Sequence, residues 1–495
     1  MKLKKLVERL EYKKITGSGN IEISGVSDDS RKLENDTLFV AIRGLTVDAH
    51  YFVDSAIRNG ATVVVGEKKP KKKWLDKITY IEVDNSRKAL SQLASAWYDY
   101  PSDNLKMVGV TGTDGKTTTS NIIYHILQKN KKKVGLITTI NARVGRQEIS
   151  TGLHVTNPEP LELQRLLSKL VSEGADCAVL EVTSHGLNQE RVAGIDFDIA
   201  VLTNITHEHL DYHGSWEHYF DSKMKLFKNA KAVVLNTDDK SYKKVMNIIK
   251  PKISVSYSIR SKNADLIAND VTSKESGQAF EIVFKGQTYK GGTNMIGSYN
   301  LSNILAAIGT SVLMGVDIEE AIKVVSKIPQ LDGRMEEIEN DKGIRIVVDF
   351  AHTPNSLKTV LTQLKKTTKG NLIAVFGCAG ERDVEKRKLM PGISVKIADF
   401  SIFTTEDPRS EKHEDILEVM AKSISGVKSA KYEIVPDRGK AIFRAINDFA
   451  KSGDTIAILG KGHEKSMCYG NIEYPWSDQD AVQDALRGEV KTIKR

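Results

Sequence analysis

Short apolar runs of strand length alternate with helical patterns along most of the chain. Between about 105 and 330 the runs are 105–110, 177–182 and 199–205. This alternation predicts a parallel sheet with crossover helices. From about 331 to 495 the pattern recurs, with strands at 344–350, 372–377, 400–404 and 455–459. Each of these four ends in a polar cluster: AHTPN, CAGERD, EDPRSE and GKGHE. Ligands of open α/β sheets bind beyond the carboxyl ends of the strands, so the four clusters predict one composite site. Polar residues that merely begin loops would explain one or two clusters, but less well their richness in Arg, His, Asp and Glu. The first hundred residues carry strand-like segments at 36–42 and 61–66 and a helix-like stretch at 86–100. MKLKKLVERLEYKK at the start reads as a short amphipathic helix. The cluster Pro101-Ser102-Asp103-Asn104 reads as a linker. The expectation is an α/β protein of three units, 1–101, 102–330 and 331–495.

Composition narrows the classes. In 495 residues, 40% are hydrophobic and 27% charged, as in an ordinary globular protein. No apolar run approaches the roughly 18 residues of a membrane span, and the N-terminus lacks the apolar core of a secretory signal. Cys177, Cys378 and Cys468 are scattered and form no CxxC pair, which fits a reducing cytoplasm. The formal charge of +8 favours anionic partners. Its densest runs, KKPKKK at 68–73 and KNKKK at 129–133, lack the interleaved aromatics of a nucleic-acid platform and read as solvated surface.

The strongest local signal is Thr111-Gly112-Thr113-Asp114-Gly115-Lys116-Thr117-Thr118-Thr119, between a strand and a helix. Glycines let backbone N–H groups turn toward phosphate oxygens, Lys116 supplies a charge, and the Thr117 hydroxyl can ligate Mg²⁺. Val110 stands where the general P-loop pattern has its first glycine, so only the GK[ST] core matches. Glu181 closes another strand, and Thr206-His207-Glu208-His209-Leu210-Asp211-Tyr212-His213 follows a third. Mg²⁺ prefers oxygen ligands and keeps waters, so Glu181 with a nearby imidazole and ATP phosphates would suit it. The three histidines do not form the HExxH zinc pattern. Tyr219 and Lys223 fall on one helix face at i, i+4. Spacing alone gives Lys223 no role beyond a solvated charge.

Together these segments resemble the Mur ligase family. TGTDGKTTT, LEVTSHGL, LTNITHEHLDYHG, YFDSKMKLF, GSYNLSNILAA, DGRME, VVDFAHTPNSL, GCAGERDVEKR, EDPRSE and GKGHE occur in the family's order over essentially the whole chain. The resemblance implies a three-domain cytoplasmic ligase with a central P-loop sheet and a C-terminal Rossmann-like domain. It implies ATP, two Mg²⁺ ions, a UDP-N-acetylmuramoyl-dipeptide and an incoming diamino acid, with no nucleic acid, no membrane insertion and a monomeric state. Thr113, Asp114, Gly115, Lys116, Thr117 and Thr118 would surround the ATP phosphates. Asn303 matches an adenine contact, Arg334 a phosphate contact and Asp349 a ribose contact. Thr117, Glu181, His209 and Lys223 would hold the metals, Lys223 as a carbamate. Ser30, Arg31, His50, Thr156, Asn157, Ser184 and Arg191 would meet the UDP substrate. Arg382, Asp407, Arg409, Gly460 and Glu464 would meet the diamino acid. Lys116, Glu181, His209, Lys223 and Arg334 form the implied catalytic set.

Four departures touch these positions. Asp114 stands where the family usually has Asn, and Val155-Thr156-Asn157-Pro158 replaces Asn-Thr-Thr-Pro. Glu208-His209-Leu210-Asp211 replaces Asp-His-Leu-Asp, and Glu406-Asp407-Pro408-Arg409 replaces Asp-Asn-Pro-Arg or Asp-Asp-Pro-Arg. Planar Arg409 favours a diamino acid with a distal carboxylate, meso-diaminopimelate, over L-lysine. Acidic Asp407 argues for L-lysine, and a modified wall precursor also stays open. Rivals from other classes are a non-catalytic nucleotide-binding scaffold and a P-loop ATPase or kinase acting on nucleic acid. An amidotransferase partner would need four zinc-binding cysteines. A folylpolyglutamate-type ligase fits the first block and the EDPR cluster poorly.

Overall fold

Three large sheets, and a two-stranded hairpin Ser466–Tyr469/Ile472–Pro475, follow one another along the chain in the computed structural model, which describes residues 1–44, 47–144, 147–149, 157–206, 208, 210–274 and 277–493. The first has the spatial order Lys14–Thr16, Thr79–Glu82, Ala61–Gly66, Thr37–Ala41, Gly25–Ser27, parallel except for its first strand. Helix Ser86–Trp97 packs Ala89, Leu90 and Leu93 onto it.

The second sheet has eleven strands. Its parallel centre runs Ser254–Ser258, Ala232–Asn236, Ile199–Leu202, Lys106–Thr111, Cys177–Glu181, Val134–Ile137. Side chains of a strand alternate between faces. Val108 and Val110 therefore enter one apolar layer, with helices Lys116–Lys129 and Ser298–Leu313, while Met107 enters the other, with helix Pro160–Ser172. Burying each such side chain contributes about 1.5–3 kcal/mol, which is why these runs are apolar throughout. Register does the rest: Val110 lies beside Glu181 and Thr111 beside Leu202. Three strand ends thus stop level, and their loops meet.

The third sheet runs Glu336–Ile338, Arg345–Asp349, Thr455–Leu459, Leu372–Phe376, Phe400–Phe403, Tyr432–Ile434, parallel except for its first strand. Strand Thr455–Leu459 sits between two strands that precede it in sequence. The four polar clusters therefore emerge side by side, in the order AHTPN, GKGHE, CAGERD, EDPRSE.

Some local expectations change. The N-terminal helix is a single turn, Leu3–Leu6. Leu3, Leu6, Val7 and Leu10 are all buried, but Lys13 N–H donates to the Glu82 carbonyl and draws the chain into the sheet. Residues 101–104, read as a linker, form a 3₁₀ turn with Pro101 and Ser102 buried. The helix before it stops at Trp97 because Asp99 and Tyr100 take φ of 62° and 52°. The central sheet also carries antiparallel edges: beyond Leu266–Lys274, itself parallel to Ser254–Ser258, come Gly277–Phe284 and Gln287–Thr293 on one side, with Ala142–Val144 and Gln147–Ile149 on the other. Among the described residues no helix is long and apolar enough to cross a membrane.

Candidate active site

A cleft of about 540 Å³ opens where the central and C-terminal sheets face each other. Its floor is the loop after Lys106–Thr111. Gly112 and Gly115 have φ of 157° and 84°. A Cβ on Gly112 would stand 1.8 Å from Thr203 Oγ1, and one on Gly115 would stand 2.3 Å from Asn303 Oδ1, so only glycine fits either place. Thr203 Oγ1 donates to the Asp114 carbonyl (2.6 Å), and Asp114 N–H donates to Asn204 Oδ1 (3.0 Å). The strand end at Leu202 thereby fixes the loop.

Lys116 Nζ donates to the Thr113 (2.7 Å) and Gly112 (3.2 Å) carbonyls. Thr117 Oγ1 donates to Glu181 Oε2 (2.9 Å), which also accepts Thr139 N–H (3.2 Å). From the C-terminal unit, Arg334 Nη2 donates to Thr117 Oγ1 (3.1 Å), with its guanidinium 4.7 Å from the centre of the Phe350 ring. A hydroxyl, a carboxylate and a guanidinium thus share one hydrogen-bond network, with the Lys116 ammonium on the carbonyls of the same loop. Among the described residues no group of three or more His, Cys, Asp or Glu is placed to hold a metal. Thr117 and Glu181 are nonetheless hard oxygen donors of the kind Mg²⁺ takes when most of its shell is water and phosphate.

Lys223 lies under this floor, 1% exposed, on helix Trp216–Met224. Its Nζ donates to the Gly112 carbonyl (2.7 Å) and sits 4.6 Å from the centre of the Tyr219 ring. Burial first, and the Lys116 charge second, push its pKa well below the usual lysine range. Asp114 does not cap the helix it precedes; its Oδ2 accepts from Asn355 Nδ2 (2.9 Å) on helix Pro354–Thr367. Burial and Glu208 raise its pKa. Buried Glu208 lies 3.6 Å from Lys386 and 3.8 Å from His352.

The far wall comes from the EDPR and GKGHE clusters. Asp407 and Arg409 have φ of 35° and 55°, a strained left-handed backbone at two non-glycine residues. Hydrogen bonds hold it: Gly380 N–H to the Asp407 carbonyl, Arg409 N–H to the Cys468 carbonyl, and Gly470 N–H to the Arg409 carbonyl. Asp407 Oδ1 accepts from Lys461 Nζ (2.9 Å) and Cys468 N–H (2.9 Å). Lys461, fully buried, also pairs with Glu464 at 2.5 Å. Burial works against its charge, but Glu464 and Asp407 hold its pKa up at about 12. Glu411 is taken by Arg387, at 2.7 Å to each of two guanidinium nitrogens. Arg409 pairs with none of these carboxylates, and its buried Nε makes no hydrogen bond. Glu406 is buried with Oε2 unpartnered, and burial pushes its pKa up to about 8. Gly460 (φ 108°) makes room for it, since a Cβ there would stand 2.3 Å from Oε2.

Most of the expected site residues meet in this cleft: 113–118, Asn157, Glu181, Arg191, Asn303, Arg334, Asp349, Arg382, Asp407, Arg409, Gly460 and Glu464. Asn157 Nδ2 donates to the Glu181 carbonyl (2.7 Å), and Arg191 Nη1 to the Asn157 carbonyl (2.6 Å). Asp349 accepts the N–H groups of Met335 (2.7 Å) and Ala351 (2.8 Å). Ser30, Arg31, His50, Ser184 and Lys223 are not among the lining residues. Ser184 is buried in the first turn of helix Ser184–Asn188. Arg31 is exposed and doubly bonded to Asp29, and the Ser30 carbonyl accepts from Asn59. His50 is buried, with Nδ1 2.6 Å from Asp48 and Nε2 accepting Glu67 N–H (2.9 Å). Thr156 and His209 lie outside the described residues. Sequence reasoning passed over Glu406, Lys461, Asn355 and Lys386. All four stood inside the quoted segments, but each gains its meaning only from neighbours far along the chain.

Residues 22–98 match the Mur ligase family catalytic domain, 110–311 the Mur ligase middle domain and 333–462 the Mur ligase glutamate ligase domain. The chain is 40% identical to the UDP-N-acetylmuramoyl-L-alanyl-D-glutamate–2,6-diaminopimelate ligase of Clostridium tetani, over 98% of this chain and 99% of the relative. It is 37% identical to ligase 1 of the same name from Clostridium acetobutylicum, over the same shares. A solved structure of a ligase of that name superposes with a TM-score of 0.69 at 28% identity, covering 99% of both chains.

Proposed function

The chain belongs to the Mur ligase family, and on that premise we propose that it adds meso-diaminopimelate to UDP-N-acetylmuramoyl-L-alanyl-D-glutamate, using ATP, in peptidoglycan precursor synthesis. The observation that carries the choice of amino acid is the pairing in the far wall. Asp407 is neutralised by Lys461, while Arg409 faces the cleft unpaired. An acidic neighbour therefore does not spend the guanidinium, which stays ready for the distal carboxylate that diaminopimelate has and L-lysine lacks.

Units 1–101, 102–330 and 331–495 would carry the UDP group, ATP and the amino acid, with Ser30, Arg31, His50, Thr156, Ser184 and Arg191 along the UDP-substrate path. The acceptor carboxylate is a poor electrophile. Transfer of the ATP γ-phosphoryl group to it gives an acyl phosphate and ADP; the amino group of the incoming amino acid then attacks, loses a proton and expels phosphate. Lys116 leaves its loop carbonyls to meet the phosphates, and Arg334 adds a second positive group from the opposite unit. Bound Mg²⁺, held through Thr117, Glu181 and His209, would neutralise charge on the transferring group. A buried lysine with a depressed pKa carries the neutral amine that reacts with CO₂. We assign Lys223 as a carbamate whose oxygens would serve a second ion while its N–H could still reach the Gly112 carbonyl. Holding the reactants together contributes about 7–11 kcal/mol, and the meeting of units excludes water from the acyl phosphate. The cytoplasmic setting and the monomeric state belong to the same proposal; the three cysteines are free and buried.

The test is direct. Purified protein, ATP, Mg²⁺, the UDP-muramoyl-dipeptide and a panel of amino acids should yield a product with the mass of the diaminopimelate adduct. A product formed with L-lysine in preference, or ATP hydrolysis indifferent to amino acid, would contradict the assignment.

A further inference from the structure

Behind the far wall lies a buried ion pair that does not line the cleft, its arginine bordering a separate cavity of about 220 Å³. Arg438 opens helix Arg438–Arg444 and Asp478 opens helix Asp478–Leu486; their side chains are 1% and 0% exposed. Arg438 Nε and Nη2 donate to the two Asp478 oxygens at 2.7 and 2.6 Å. Asp478 Oδ1 also accepts the Trp476 indole N–H at 2.9 Å. The guanidinium has two further bonds. Nη2 donates to the Leu459 carbonyl (3.0 Å), and Nη1 reaches the Thr405 carbonyl (3.5 Å).

Those two carbonyls stand immediately before Gly460 and Glu406, the first residues of the two clusters that form the far wall. Neighbouring strands Leu372–Phe376 and Thr455–Leu459 are joined by a ladder, but Thr455–Leu459 and Phe400–Phe403 are not adjacent in the sheet. Both pair with Leu372–Phe376, which lies between them, so two ladders hold the strand bodies; beyond the last pairs, Val375–Ile458 and Phe376–Phe403, no ladder sets the spacing between the chain ends that carry EDPR and GKGHE. There the planar Arg438 guanidinium reaches both chain ends, beside the Lys461–Asp407 pair, and Asp478 fixes it in turn. The spacing matters because Glu406 Oε2 lies where a Cβ at position 460 would intrude, and because Lys461 must span to Asp407.

We propose that Arg438, held by Asp478, is a positioning residue for the diamino-acid subsite: it sets the distance between the Glu406–Arg409 and Gly460–Glu464 walls without touching the substrate. This rests on the function proposed above. Buried bidentate pairs replaced by neutral groups of similar shape often leave stability nearly unchanged, whereas breaking one partner alone strands a charge. A paired replacement therefore separates positioning from folding.

The experiment compares the parent with the double variant Arg438→Met/Asp478→Asn, in which the new amide oxygen can still accept the Trp476 indole. Saturation kinetics are measured for diaminopimelate, ATP and the UDP-muramoyl-dipeptide, with the thermal midpoint alongside. KM for diaminopimelate should rise about tenfold or more while the other two KM values stay within about twofold. Unchanged KM for the amino acid in a folded variant, or three KM values that rise together, overturns the proposal. If the double variant does not fold, Arg438→Lys is judged by the same split; a lysine keeps the charge but cannot bridge Asp478 and both carbonyls. Diaminopimelate ligation by the parent is the control for the underlying reading: its absence refutes that reading, while normal parent turnover with an unmoved variant KM refutes only the positioning role.

Discussion

The two ends of the cleft are built on different plans. At the phosphate loop, the functional groups are tied to one another: Lys116 to its own loop carbonyls, Thr117 to Glu181, Arg334 to Thr117, Lys223 to Gly112. At the amino-acid wall Asp407, Lys461 and Glu464 are tied together, but Arg409 Nε and Glu406 Oε2 are buried without partners on a backbone strained at Asp407 and Arg409. Arg334, whose Nε is also unpartnered, is by contrast held at the phosphate end by its bond to Thr117. The difference follows from what each end must recognise. Phosphate is bound by charge and by many backbone N–H groups, and a self-bonded loop can exchange its internal bonds for those to phosphate at small net change. An amino-acid side chain must be told from close relatives. A wrong one is rejected most strongly when it leaves buried polar groups unpaired. The phosphate end is a device for catalysis, the far wall a device for choice.

The largest effect should come at the phosphate end. Lys116→Ala removes the charge that meets the transferring phosphoryl group, and kcat should fall about 10³-fold with the fold retained by circular dichroism. Near-normal ligation by the folded variant would remove Lys116 from the mechanism. Lys223→Ala should lose on the order of 100-fold in rate, and added formate or acetate should restore part of it by supplying the missing oxygens. Full activity without the side chain would end the carbamate assignment.

The far wall should answer to pH rather than to rate alone. Glu406 keeps its proton in the folded protein up to about 8, against an ordinary value of 4.5. The folded state thus binds a proton that the unfolded chain has lost. The stability this contributes is complete below 4.5 and declines as pH rises toward 8, by at most about 1.4 kcal/mol per unit. Denaturant unfolding at pH 5, 6, 7 and 8 should show that decline in the parent, and a shallower one in Glu406→Gln. Parallel curves would mean that Glu406 is ionised throughout.

The smallest effect lies between the two regions. Asp114 puts a negative charge at the phosphate loop but spends one oxygen on Asn355 of the C-terminal unit. Asp114→Asn should lower the Mg²⁺ concentration for half-maximal rate a few-fold, because less cation is needed to offset the carboxylate. The exchange Asp114→Asn/Asn355→Asp keeps a donor facing an acceptor and should restore whatever the single change loses in amino-acid-dependent turnover. Superimposable Mg²⁺ titrations would show the charge to be idle.

What could be seen beforehand divides along the same line. The phosphate loop, Glu181 and the strands beneath them were legible because contiguous residues carry them: apolar runs make the strands, and a glycine-rich run makes the turn. The antiparallel edges at Leu266–Thr293 were not, since half-exposed strands of mixed polarity have a weak pattern. The far wall was legible as clusters but not as a mechanism. Lys461 and Arg438 look like ordinary surface cations in a sequence, and only the fold brings each to a carboxylate tens of residues away. Whether Asp407 or Arg409 would dominate depended on Lys461, and spacing along the chain says nothing of that.

The claim that the far wall chooses a carboxylate-bearing diamino acid is tested most directly by one ratio. The parent and Arg409→Ala are compared for kcat/KM with meso-diaminopimelate and with L-lysine, under identical ATP and Mg²⁺. The account predicts that the parent prefers diaminopimelate and that the substitution erases this preference by on the order of 100-fold, through loss of diaminopimelate use with little change for L-lysine. A parent that prefers L-lysine, or a variant that keeps the parent's ratio, would contradict it.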